Sequence, residues 1–242
     1  MIKVEVLQFK KIIYERGDVM SFRHEYKHEI NTEDMLILRS RLGAVARHDE
    51  HGENGVNKIR SVYFDDGYDT ALMEKINGVN KREKFRIRFY NDDISFIRLE
   101  KKCKINGLCS KTSVMISADE AADIVNGKID FMRDDERELL RELYCKMSAG
   151  SLRAKTVVDY TREAFVYPAG NVRVTLDYDL RTGADTSEFL SPDCVTLPVR
   201  DAPVILEVKW DEFLPEIIRD AVNLTGRRSS AFSKYAACRM YG

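Results

Sequence analysis

Residues 81–91 read KREKFRIRFYN. In an extended strand, successive side chains point to opposite faces. Arg86 and Arg88 therefore share one face, and Phe85, Ile87 and Phe89 share the other. A single strand of this kind has a plain explanation: its charged face meets water.

The pattern recurs along the chain. Residues 94–104 put Arg98, Glu100, Lys102 and Lys104 on one parity, and Lys111 keeps step with Cys109 and Ser113. Arg162 shares a face with Tyr160 and Val158. Arg173, Thr175, Asp177 and Asp179 oppose Val172, Val174 and Leu176. Glu207 and Lys209 alternate with Leu206, Val208 and Trp210. Residues 21–30 set Arg23, Glu25, Lys27 and Glu29 against Phe22, His24, Tyr26, His28 and Ile30. If the sheet curls, these charged faces line its interior. An interior with so many cations is costly unless it is wet and takes up an anion. Residues two apart on one face are spaced ~6.5–7 Å, a pitch that suits a row of linked phosphates. Arginine grips phosphate in bidentate fashion, and lysine acts as a point charge.

Turn signals separate the strands, as at NDD and NG, and helical patterns interrupt them. Asn31 or Thr32 opens a helix with Leu36, Leu38, Leu42 and Val45 as its apolar face. Others are expected at 69–77 (closed by Gly78), 118–126, 134–148, 213–224 and 230–240. This order predicts an α+β fold with an antiparallel sheet or barrel, as one domain over residues 1–242. Residues 1–19 form an extension of ambiguous structure.

Composition narrows the function. The formal net charge of −1 over 242 residues predicts no nucleic-acid partner. Acidic residues gather on the helices, at 33–34, 119–120 and 134–138. Five cysteines lack zinc-ligand spacing and read as free thiols. No apolar run spans a membrane, and the N-terminus lacks a signal-peptide core, so a cytoplasmic protein is expected. There is no P-loop, no dinucleotide-binding glycine motif and no kinase signature.

Taken in order, RHEYKHEI, IRSVYFDD, REKFRIRFYN, FIRLEKKCK, DYTREAF, RVTLDYDL, VILEVKW and FSKYAA resemble the catalytic domain of the vacuolar transporter chaperone (VTC) polyphosphate polymerases. These belong to the triphosphate tunnel metalloenzymes, and the resemblance covers roughly residues 20–240. It implies an eight-stranded antiparallel tunnel around a triphosphate, with helices outside. It implies catalytic roles for Lys27, Arg86, Arg88, Lys102, Arg162 and Lys234. Phosphate contacts would come from Lys111, Arg173, Lys209, Ser233 and Tyr160, and Glu207 would hold Mn²⁺ or Mg²⁺. ATP and inorganic polyphosphate are the implied substrates. The wider superfamily carries E-x-E-x-K near its N-terminus; here Glu25, Lys27 and Glu29 stand in another order, which favours the polymerase branch. Glu25 and Glu29 could equally be ion-pair partners of Lys27 and Arg23. Asp177 and Asp179 read as residues that order neighbouring arginines. A hydrolase of the same fold and a non-catalytic polyphosphate binder are the alternatives.

Overall fold

The computed structural model describes residues 24–50, 52–105, 108–150, 152–224, 226 and 231–241. The reading of residues 1–19, and of Phe22 and Arg23, lies outside them. Among the described residues there are ten strands in one antiparallel sheet: β1 (His24–Ile30), β2 (Arg47–His48), β3 (Val56–Asp65), β4 (Lys81–Tyr90), β5 (Asp93–Ile105), β6 (Leu108–Ile116), β7 (Arg153–Tyr167), β8 (Val172–Gly183), β9 (Leu197–Pro198) and β10 (Val204–Trp210). The helices are α1 (Thr32–Val45), α2 (Thr70–Ile76), α3 (Ala118–Val125), α4 (Glu138–Gly150), α5 (Glu216–Ala221) and α6 (Lys234–Tyr241).

Eight strands form the wall in the order β1-β10-β8-β7-β3-β4-β5-β6, while β2 flanks β7 and β9 flanks β8. The ladder is not closed. Its end strands β1 and β6 are not paired with each other among the described residues, so the expected tunnel has a seam. The wall nevertheless curls. Lys102 on β5 feels the charge of Lys209 on β10, although four strands separate them in the ladder.

The alternation read from the sequence sets the two faces. The apolar residues of β3, β4 and β5 (Val62, Phe64, Phe85, Ile87, Phe89, Ile97 and Leu99) pack under α3 and α4. Those of β8 and β10 (Val172, Val174, Leu176, Leu206 and Val208) pack under α1 and α5. Trp210 stacks on His24 of the neighbouring strand at 5.3 Å between ring centres.

Local chemistry fixes the element ends. Asn31 caps α1 through a capping box with Asp34, whose amide reaches the Asn31 side chain at 2.8 Å. Met35, Leu38 and Leu42 are buried, whereas Leu36 is 54% exposed. The apolar stripe follows the spacing 35, 38, 42, and Leu36 lies about 100° round from Met35. The expected helix at 134–148 begins only at Glu138. Asp135 accepts the Arg137 amide at 2.7 Å, a local turn that competes with helix. Asn91 and Asp92 both adopt positive φ (53° and 58°), as a two-residue hairpin between β4 and β5 requires.

On the concave side α6 packs against the wall. Tyr235, Ala237 and Cys238 meet Ile59, Tyr63, Val158, Tyr160 and Leu180. The Tyr63 and Tyr235 rings stack at 5.1 Å. Tyr235 Oη donates to Asp65 at 2.6 Å, and Asp65 also accepts the Ala71 and Leu72 amides of α2 at 2.8 and 3.1 Å. One buried carboxylate thus fastens both helices to the end of β3.

Candidate functional site

The strand register places the charged side chains in cross-strand rungs on the concave face. Lys84, Lys102 and Lys111 lie side by side across β4, β5 and β6. The next rung holds Tyr63, Arg86, Glu100 and Ser113, and the next Ser61, Arg88 and Arg98. On the other wall, Lys27, Glu207 and Thr175 form one rung, and Glu25, Lys209 and Arg173 another. Arg162 faces Asp177 across β7 and β8.

Most of these cations have resident carboxylate partners. Arg86 Nε donates to Glu100 at 2.7 Å, and Lys111 pairs with the same carboxylate at 2.5 Å. Arg162 grips Asp177 with two bonds, at 2.6 and 2.7 Å. Lys234 of α6 joins Asp177 at 2.6 Å and lies 4.6 Å from the Tyr160 ring centre. Lys27 bonds Glu25 and lies 3.9 Å from Glu207, while Lys209 bonds Glu207 and lies 3.6 Å from Glu25. Arg173 is drawn to Asp49 at 2.6 Å. Ser233 accepts the Ala236 amide at 3.4 Å in the first turn of α6.

The sequence alone puts Arg86 and Arg88 among like charges with no ligand to offset them, but Glu100 lies directly across the strand boundary from Arg86. Arg88 differs. Its Nε donates to Ser61 Oγ at 2.9 Å and its Nη2 to Tyr160 Oη at 3.1 Å, with no carboxylate within ion-pair distance among the described residues. The same holds for Lys84 and Lys102. Asp177 orders an arginine as expected. Asp179 also pairs with an arginine, Arg181 at 4.0 Å, although its side chain is 57% exposed. Neither Tyr63 nor Lys84 stood out in the sequence, although Lys84 shares the parity of Arg86. Tyr63 Oη accepts from Arg86 Nη1 at 2.9 Å.

Titration behaviour follows from this layout. Burial disfavours the Glu207 carboxylate, but Lys209, Lys27 and Arg162 outweigh it and hold its pKa well below the ordinary range. Glu100 is likewise depressed by Arg86 and Arg88 against the effect of burial. Lys102 is reached by water from the lumen yet ringed by protein. Desolvation first, then Arg86 and Lys209, lower it to about 7. Burial opposes ionisation of Tyr63, but Arg86, Lys84 and Arg88 prevail and bring its phenol to about 7.

A pH dependence follows. Between about pH 7 and 10, the unfolded chain keeps protons at Lys102 and Tyr63 that the native protein has released. Stability of the ligand-free protein should therefore rise with pH across that window. Urea midpoints from pH 6 to 9 test this, and Lys102→Met should flatten the rise. A variant with the same slope as wild type would show that Lys102 is not depressed.

A cation site has a limited donor set here. Glu207 and Glu25 are two carboxylates bridged by Lys27 and Lys209, and no group of three or more potential metal ligands occurs among the described residues. Such a set would hold a hard divalent ion only with phosphate oxygens completing its shell.

Among the described residues, no helix is long and apolar enough to cross a membrane. No curated protein sequence matches the chain. Among solved structures, it is similar to a Bacillus halodurans protein described as a "putative adenylate cyclase", with 16% identity, 78% of this chain and 80% of that chain covered, and a TM-score of 0.45. The PH1012 protein of Pyrococcus horikoshii OT3 is 15% identical, with 83% and 85% covered and a TM-score of 0.43. The PH1819 protein of the same organism is 14% identical, with 83% and 84% covered and a TM-score of 0.41. The VTC domain matches residues 22–241, nearly the whole chain, and this protein belongs to the VTC domain family.

Proposed function

We propose that the protein is a metal-dependent phosphotransferase that moves the γ-phosphate of ATP onto a polyphosphate chain within the basic lumen. The observation that carries this reading is the unbalanced wall of β4 and β5. There Lys84, Arg88 and Lys102 face the lumen with no carboxylate within ion-pair distance among the described residues. Such a wall is stabilised by an anion of high charge density.

Phosphoryl transfer depends on positioning and charge neutralisation more than on a covalent helper. A terminal oxygen of the polyphosphate attacks the γ-phosphorus in line. The bond from that phosphorus to the β–γ bridging oxygen breaks, and ADP leaves with the electron pair. Arg86 enters this step already oriented by Glu100 and Tyr63, and Arg88 by Ser61 and Tyr160, so little is lost in fixing them on the phosphates. Arg162 and Lys234, fixed on Asp177, supply positive charge from the facing wall. Bound Mn²⁺ or Mg²⁺ would be held by Glu207, with Glu25 beside it, and would neutralise charge on phosphate oxygens.

Product analysis after incubation with ATP and Mn²⁺ tests the reading. Polyphosphate with ADP is expected. Free phosphate alone would make the protein a hydrolase, and no product would make it a binder. Glu207→Gln should abolish metal-dependent turnover and spare the fold, because glutamine keeps the shape and Glu25 remains an ion-pair partner of both Lys27 and Lys209. Wild-type turnover in that variant would move the metal to another ligand.

A further inference from the structure

We infer that Lys84, at one end of the row it shares with Lys102 and Lys111, forms an anion subsite one rung beyond Arg86 and Arg88 that holds a further phosphate of a linear chain, so that the lumen favours chains longer than three phosphates. This rests on the proposed function and adds the length of the preferred ligand.

The placement comes from the register. Lys84 lies directly opposite Lys102, which lies opposite Lys111. Strands are about 4.8 Å apart, so three ammonium stems stand in one row. That row is two residues, ~6.5–7 Å, along the wall from the rung of Arg86. Lys111 shares Glu100 with Arg86. Neither Lys84 nor Lys102 has a carboxylate within ion-pair distance among the described residues. Lys84 Nζ lies 5.5 Å from the centre of the Tyr63 ring, which holds it toward the lumen.

The surroundings leave this row positive. Lys27 of β1 and Lys75 of α2 add charge from other elements, with Arg86 on the same strand and Tyr63 on β3. Desolvation first, then Arg86, Lys27 and Lys75, against the opposing influence of Tyr63, depress Lys84 to about 8. Lys102 beside it falls to about 7. Crowded, poorly solvated ammonium groups are unfavourable in the empty protein and become favourable when an anion sits among them. The residue types divide the labour. The oriented guanidinium groups of Arg86 and Arg88 suit a phosphate held in one pose. The flexible lysines suit a phosphate that moves on as a chain advances.

The test compares two ligands on wild type, Lys84→Met and Lys84→Arg. Calorimetric titrations use inorganic tripolyphosphate and polyphosphate averaging some tens of phosphates. Lys84→Met should bind tripolyphosphate within about threefold of wild type and the long chain at least about tenfold more weakly, as loss of one charge-assisted contact implies. Lys84→Arg should recover the long-chain affinity. Titrations at pH 8 in two buffers of different ionisation enthalpy should also show smaller proton uptake in Lys84→Met, because a half-protonated lysine no longer charges on binding. A structural role for Lys84 would not produce that change. If wild type binds both ligands and Lys84→Met loses equally for both or for neither, the subsite is overturned and the proposed function stands. If wild type binds neither, both fall together.

Discussion

Replacing Arg86 by alanine is expected to damage the empty protein as well as ligand binding. Glu100 is 1% exposed and would lose one of its two ion-pair partners, keeping Lys111. Breaking a buried ion pair from one side typically costs about 3–5 kcal/mol, and with Lys111 in place the lower end applies, about 3 kcal/mol. Tripolyphosphate binding should weaken by one to two decades, for a lost charge-assisted contact of ~1.5–3 kcal/mol. The two effects separate in Arg86→Ala combined with Glu100→Gln. That double variant should regain most of the stability and none of the affinity. Urea unfolding and calorimetry on the single and double variants decide it. An unchanged urea midpoint in the single variant would show that Glu100 does not depend on Arg86.

Asp177→Asn should be at least as severe. Asp177 is 1% exposed and holds both Arg162 and Lys234. Burial alone would raise its pKa, but Arg162 and Lys234 overcome that and leave it at about 2. Because the folded value lies below the unfolded one, its contribution is present above about pH 4 and is lost as pH falls toward 2. Wild type should therefore show an acid limb in its stability curve that the variant lacks. At neutral pH the variant loses about 3–5 kcal/mol, since two confined cations share no anion. Added tripolyphosphate should restore more stability to the variant than it adds to wild type, because phosphate can stand where the carboxylate stood. Equal gains in the two proteins would mean that ligand never approaches Arg162 and Lys234.

The two faces of each strand were legible because strand periodicity needs no knowledge of neighbours. The partners across strands were much less so, and the β4–β5 hairpin shows why. A two-residue turn at Asn91 and Asp92 pairs Tyr90 with Asp93, and uninterrupted pairing from there would set Arg86 opposite Ile97. That would bring a charged residue beside an apolar one. The register shift between Arg88 and Tyr90 moves Arg86 opposite Glu100 and restores matching faces. Charged parity on both strands already demanded such a bulge, so Glu100 could have been found as the arginine's partner. Tyr63 could not, because its place beside Arg86 depends on β3 lying next to β4 and on α6 covering the same side. The Asp49–Arg173 pair likewise depends on a two-residue strand too short to show a period.

The pairing of β1 with β10 bears on how the chain reaches its native state. Ile30 meets Val204 and His24 meets Trp210, so the first strand of the wall waits for β10, which follows every other strand among the described residues. Contacts this distant in sequence make for slow folding and a long interval with an unprotected strand edge. Glu25, Lys27 and Glu29, alternating in sign along one face of β1, are the kind of charged residues that discourage edge-to-edge association during such an interval. Residues that later face the lumen would thus also keep this edge from pairing with another chain before β10 arrives. Neutral replacements there carry a cost in folding yield, separate from any cost in phosphate chemistry.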